Sequence, residues 1–400
     1  MSAIGGIVDF KRGNLNFSLL NEMRNSVSMR GRVGSSAYLD IGVGMFYCSD
    51  GISNCEQPII SERRGYVSVI SLDSRTLNAP LVLERYRTAG VEFLSGLFGD
   101  FAIALYDTER RMLLLARDKS GAKPLFFIAK GGRVYFSSEV KGLLALQESS
   151  IKINREYLSY HLTSTTGVYH ASDLYYGISE VEAGECILFT EMGFSRFFYQ
   201  NSAQGQKAPK GKSFEKELFS VSGMAKIDEA LIKNSLSDTL VAFDIPQFDA
   251  FLPRLCGIFD SASKSSKKAF KYADEMKARG ARYAYEREDR LSSFYGVLGI
   301  SEYCSRELRN SDEKYFELCE IYEILLRLFF ELDSSDTAFL RSILGERKSY
   351  CVWSFVDSKN TKKEDTELKI RTLGMLCQTV EWFRLWNLDF GKSDNKIYSV

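Results

Sequence analysis

The sequence predicts an α+β protein with a strand-rich amino-terminal half and a mostly α-helical carboxy-terminal one. Three features of the 400-residue chain carry this. Short alternating apolar segments crowd the first 200 residues, a polar stretch rich in Gly, Lys and Ser follows at 201–213, and no proline occurs after Pro253. A single core stops growing at roughly 250–300 residues. Two domains are therefore expected, at 1–200 and 214–400, with 201–213 as their linker.

Helices are expected at about Leu15–Met29, where apolar residues recur at helical spacing, and at Pro80–Ala89. Strands are expected in GYVSVISLD, GDFAIALYD, MLLLARD, PLFFIAKGGRVYFSSE and GECILFT, which are rich in β-branched and aromatic residues. Lys130-Gly131-Gly132 marks a hairpin, because glycine reaches positive φ without steric cost. Asp107 to Arg111 reads as a second polar turn. Mixed strands with helices outside them fit a layered domain.

The stretch NSAQGQKAPKGKS, residues 201–213, has no large apolar side chain and cannot bury enough surface to order itself strongly. Beyond it the absence of proline after Pro253 favours long helices, since proline costs about 3 kcal/mol inside one. Leu318, Ile321, Leu325 and Leu328 form one apolar stripe at helical spacing, and Leu373, Leu376, Val380 and Phe383 form another. DSASKSSKK, 260–268, reads as an exposed connection. The charged run KKAFKYADEMKARGARYAYEREDR after it reads as a solvated helix face.

Composition narrows the function classes. Lys plus Arg equals Asp plus Glu at 52 each, so no global field draws nucleic acid. No apolar run approaches the ~20 residues of a membrane span, and the start lacks a secretory pattern, so a cytoplasmic protein is expected. Eight scattered cysteines without a C-x-x-C pair read as reduced thiols. The only histidines are His161 and His170, which leaves little for a metal site or a Ser-His-Asp triad. His161 lies in the helical stretch YLSYHL and reads as a packing residue. Neither metal nor cofactor is expected.

Residues 95–146 carry the informative pattern. It runs Leu97-x-Gly99-x-Phe101-Ala102-x-Ala104, then Ala116-Arg117-Asp118, then Gly121-x-Lys123-Pro124-Leu125-Phe126. It closes on Phe136-Ser137-Ser138-Glu139-x-Lys141-x-Leu143-Leu144. This order resembles the amino-terminal domain of the asparagine synthetase family, the class II glutamine amidotransferases, with weaker similarity over about 1–200. The resemblance implies an αββα sandwich of the N-terminal-nucleophile type. In the matched block, Gly99, Gly121 and Gly132 suit tight turns, while Arg117, Asp118 and Glu139 are candidates for buried ion pairs.

The resemblance also implies where glutaminase chemistry would lie, and this chain departs from it at each position. The family's nucleophilic cysteine and its neighbour fall on Ser2 and Ala3. The arginine that grips the substrate carboxylate is missing near Asp50. The Asn-Gly-Glu motif of the oxyanion hole reads Ser71-Leu72-Asp73, and the later substrate-binding acids fall near Asn78 and Pro80. One lost oxyanion donor typically costs about 10²–10³ in rate, and the groups of a functional unit do not substitute for one another. A chain without glutaminase activity is expected. An alternative remains open, in which Ser2 acts as an N-terminal nucleophile with its own α-amine as base.

The family's second half is an ATP-pyrophosphatase domain with a Ser-Gly-Gly-x-Asp-Ser motif. Its nearest fragment here is Ser222-Gly223-Met224, and no other phosphate-cradling loop is visible. Asp244 and Asp249 are a weak candidate cation pair. The expectation is therefore a pseudoenzyme, a binding or scaffold component of an amide-forming or peptide-modifying pathway like those of the β-lactam synthetases and lasso peptide cyclases. The alternatives are the Ser2 hydrolase and a divergent ATP-dependent amide synthetase. A protein or peptide partner, or a second copy of the chain, would suit Trp382, Phe383 and Trp386 in EWFRLWNLDF, because large aromatics dominate interface energetics. The competing reading packs these rings internally. Limited proteolysis should cut first within 201–213, and a first cut within 95–146 would contradict the proposed boundary.

Overall fold

The computed structural model describes residues 2–50, 56–63, 66–74, 77–146, 151–163, 171–199, 219–220, 228–243, 253, 256, 260, 263–264, 269–273, 290, 298–302, 311–358, 363–386, 388 and 390. The expected linker at 201–213 lies outside them, as do His170, Ser222-Gly223-Met224, Asp244 and Asp249. The chain divides into two compact units, neither continuous in sequence. Unit 1 is Met1–Gln147, Ile178–Ser220 and Ser265–Tyr303, and unit 2 is Glu148–Gly177, Val221–Lys264 and Cys304–Val400. A stretch that sequence reading kept within the first domain, Glu148–Gly177, thus packs with the helical unit.

The chain enters unit 1 with β1 (Ala3–Asp9), α1 (Phe17–Ser26), β2 (Gly34–Asp40) and β3 (Val43–Ser49). Next come β4 (Ile59–Arg63), β5 (Tyr66–Asp73) and α2 (Ala79–Ala89). Two hairpins follow, β6 (Ala102–Asp107) with β7 (Met112–Arg117) and β8 (Phe126–Lys130) with β9 (Arg133–Ser137), then the short α3 (Val140–Leu144). The Gly131-Gly132 turn takes φ of 64° and 84°, the primed geometry that matches strand twist. After an excursion into unit 2 through β10 (Lys152–Ile153), α4 (Arg155–Thr163), α5 (Ala171–Leu174) and β11 (Tyr175–Tyr176), the chain returns. It then adds β12 (Ser179–Glu180), β13 (Glu185–Thr190) and β14 (Gly193–Phe198).

These strands form two six-stranded sheets, ordered β12-β8-β9-β1-β3-β2 and β14-β13-β7-β6-β5-β4. Every pairing within them is antiparallel. Alternate residues of both sheets, including Ile4, Val8, Met45, Val69, Leu113 and Phe136, make the core between them. A second core, with Leu72, Val82, Leu83 and Phe93, lies under α2 on the far side of the second sheet. Helices α1 and α3 cover the outer side of the first sheet. The result is the four-layer αββα arrangement that the resemblance implied.

Three further strands, β15 (Phe219–Ser220), β16 (Ala269–Ala273) and β17 (Leu298–Glu302), pair in parallel. Ala269–Ala273 corrects the expected helix face there. AFKYA alternates aromatic and non-aromatic residues with period two, and the surrounding charges masked that signal.

Unit 2 is helical. It contains α6 (Glu229–Phe243), α7 (Ser311–Phe330), α8 (Ser334–Leu344), α9 (Glu346–Asp357) and α10 (Lys363–Trp386), besides α4 and α5. Both expected stripes face inward, with Ile321, Leu325, Leu373, Leu376 and Val380 all buried. His161 is buried on α4, as its packing role required. Gln378 of α10 donates from Nε2 to the Leu236 carbonyl at 2.8 Å and to Thr239 Oγ1 at 2.7 Å, which ties α10 to α6. Trp382 is 0% exposed, with its ring 5.9 Å from Tyr175 and 5.2 Å from Phe383. It belongs to the core of this unit. Replacing Trp382 with Ala should therefore destabilise the protein by about 3–5 kcal/mol in urea unfolding. A loss under about 1 kcal/mol would contradict that placement.

Candidate functional site

The site lies where β1 begins and β5 ends, at one end of the sandwich. Residues 2, 4 and 8 alternate onto the inner face of β1, and residues 69, 71 and 73 share the inner face of β5. Ser2, Ser71 and Asp73 are thereby directed into the layer between the sheets, and all three are buried. Ser2 Oγ is hydrogen-bonded to the Tyr47 hydroxyl at 2.9 Å, a partner held on the inner face of β3. Ala3 is opposite Cys48, whose thiol burial pushes up to about 12. That thiol is protonated at neutral pH and is no substitute nucleophile.

Arg30 organises the site and was not singled out from the sequence. It is 2% exposed. Its Nε donates to the Ser2 carbonyl at 2.9 Å, one terminal nitrogen meets Asp73 at 3.1 Å, and the other meets Glu139 at 3.3 Å. Gly31 permits this approach, because a Cβ there would lie 2.2 Å from the backbone carbon of Cys48. Any other residue would force this stretch and the Cys48 backbone apart.

Asp73 also faces Lys123 Nζ at 3.5 Å, and the same ammonium is 3.7 Å from Asp100. Lys123 is delivered by the loop after β7. Asp118 accepts from the Ala122 and Lys123 amides, each at 3.1 Å, while Arg117 donates to the Gly121 carbonyl at 2.7 Å and pairs with Glu180. Gly121 supplies the positive φ of 65° that closes the loop. The conspicuous sequence pattern around Arg117 is thus a device that places one buried lysine.

Ser71 and Leu72 are the residues that the sequence resemblance sets against the family's oxyanion donors. The Leu72 amide donates to Gln57 Oε1 at 2.7 Å, and Gln57 Nε2 donates back to the Leu72 carbonyl at 3.1 Å. Gln57 precedes β4 and acts there as one further rung of the ladder beside β5. The Ser71 hydroxyl is buried with no hydrogen-bond partner among the described residues. Asn78, which stands near where the resemblance places the family's substrate-binding acids, has a structural task. It caps α2, accepting from the Leu81 amide at 3.2 Å, and is exposed. Asp50 is half-buried beyond the end of β3. Trp382, Phe383 and Trp386 belong to unit 2, where Phe383 packs 4.9 Å from both Phe339 and Phe390 and Trp386 is half-buried. Among the described residues, no three His, Cys, Asp or Glu side chains converge on a possible metal position. No helix among them is long and apolar enough to cross a membrane.

Sequence comparison points to a glutamine amidotransferase-like domain within the sandwich. Residues 71–200 match the glutamine amidotransferase domain family. The chain is 28% identical over 127 residues to asparagine synthetase [glutamine-hydrolyzing] 3 of Bacillus subtilis, a match covering 32% of this chain and 21% of that protein. It is 38% identical over 106 residues to a putative asparagine synthetase [glutamine-hydrolyzing] of Mycobacterium bovis, covering 26% of this chain and 16% of that one. The chain therefore spans about a fifth of the curated relatives it matches. A looser likeness, TM-score 0.33 at 13% identity, covers 75% of this chain and 65% of the glutamine phosphoribosylpyrophosphate amidotransferase of B. subtilis.

Burial pushes the Glu139 carboxyl up, but Lys141, Arg30 and Arg290 outweigh that and hold it below the usual carboxylate range. With the folded value depressed, its stabilising contribution is complete above the ordinary value of about 4.3 and is lost as pH falls below it. The stability advantage of the natural protein over Glu139→Gln in urea unfolding should shrink between pH 5 and pH 3. A difference that stays constant across that range would mean the carboxyl is not held ionised.

Proposed function

We propose that this chain carries an asparagine-synthetase-like amidotransferase domain that no longer hydrolyses glutamine and serves as a binding or scaffold component of an amide-forming or peptide-modifying pathway. The observation that carries the reading is the clamp of Gln57 on Leu72. An oxyanion hole needs donors directed at the position where negative charge develops. Here the amide at that position is already committed to a side chain of the same protein. Ser2 with its Tyr47 partner, and Asp73 with its two cations, support the same reading.

The function then rests on binding. The proposed partner is a protein or peptide, with a second copy of the chain as the other candidate. A hydrolase using Ser2 is favoured by one observation, the burial of its hydroxyl at the position of the family's cysteine. Purified protein incubated with glutamine should release no ammonia above the rate without protein. Release that Ser2→Ala abolishes would overturn the scaffold reading and establish the serine alternative.

A further inference from the structure

Arg290 comes from the segment Ser265–Tyr303, which joins unit 1 after the chain has passed through unit 2. It is 1% exposed, and its guanidinium carbon lies 5.7 Å from the centroid of the Phe126 ring. Phe127 points into the core between the sheets, so Phe126, one residue earlier, faces the outer side of the first sheet. Glu139 occupies the N-cap position of α3 without making a side-chain cap bond. Its carboxylate is turned to Arg30 and Lys141 instead. Phe126 pairs with Ser137 across β8 and β9, and Glu139, two extended residues further on, is directed to the same outer face as Phe126 and the Arg290 guanidinium.

We propose that Phe126 and Glu139 form a guanidinium-binding site in the amino-terminal sandwich, and that Arg290 of the same chain is its ligand. An aromatic face beside a buried carboxylate selects a guanidinium over an ammonium. The planar ion stacks on the ring and sheds its water more readily. The site is electrically continuous with the one already described, because Glu139 shares Arg30 with Asp73 and the Ser2 carbonyl. Arg290 thereby fastens a late segment of the sequence to the place where the strand bearing Ser2 begins. The inference does not depend on whether glutamine is hydrolysed.

The test uses the full chain with Arg290→Ala, monitored by hydrogen exchange at the Ile4 and Ser138 amides. These close the β1–β9 end by donating to Ser138 Oγ and to the Ile4 carbonyl, each at 2.9 Å. Exchange at both should accelerate about tenfold. Millimolar guanidinium chloride should recover most of the lost protection, while methylammonium chloride at equal ionic strength should not. Equal recovery by the two salts, or none by either, would overturn the proposal. If Arg290→Ala does not fold, Arg290→Lys and Phe126→Leu are compared singly and together. The double variant should be no less protected than the worse single, because both remove the same stacking contact. Fully additive losses would overturn it.

Discussion

A guanidinium buried at the end of two sheets is tolerable only if its charge and donors are answered on the spot, because an unanswered buried ion costs several kcal/mol. Arg30 meets this demand by joining three parts of unit 1. It reaches the Ser2 carbonyl at the head of the first sheet, Asp73 at the end of a strand in the second, and Glu139 at the start of α3. Asp73 in turn holds Lys123, whose position requires the shaped loop after β7. The chain of charges therefore sets the spacing of the two sheets at this end. Hydrophobic burial between them is non-directional and would not do so.

The side chains at the positions where the resemblance places a glutamine pocket form a connected set. A glutaminase keeps donors idle until substrate charge develops, and idle buried donors are costly to maintain. In this chain Gln57 satisfies the Leu72 amide and carbonyl together, Tyr47 satisfies Ser2, and Asn78 is spent on a helix cap. Ser71 is the exception, a buried hydroxyl without a partner among the described residues. Apart from Ser71, these groups find their partners within the chain.

Strands β5, β6, β7 and β13 of the second sheet and the β8–β9 hairpin were legible because they are rich in β-branched and aromatic residues and are bounded by polar or glycine turns. Gly131 and Gly132 take the positive φ the hairpin needs. Strands β4 and β14 were not marked. The inward stripes of α7 and α10 were legible for the matching reason at helical period. The strand AFKYA was hidden by the charges around it, and β1 was not marked as a strand because two glycines interrupt its pattern. Of the site, Glu139 was visible as a candidate ion-pair residue, but Arg30 and Lys123 were not. A buried cation leaves no periodic trace when its partners lie 43 and 109 residues away. Gln57 was equally silent, since only its place beside β5 gives it a role. The capping role of Asn78 was not read from the sequence, although the start of α2, one residue later, fixes what its side chain does.

The interleaving of the two units has a consequence for how the polypeptide is made. The chain passes between them at Gln147–Glu148, Gly177–Ile178, Ser220–Val221, Lys264–Ser265 and Tyr303–Cys304. No single peptide bond can be cut to release either unit whole. On the ribosome, β7 must wait for β13, its neighbour in the second sheet, while an entire excursion into the helical unit is synthesised between them. Such long-range pairing closes large loops before it is rewarded, which makes assembly slow and leaves strand edges exposed in the interval. Fragments ending near residue 147 would carry an unfinished sheet and should be sticky rather than independently folded.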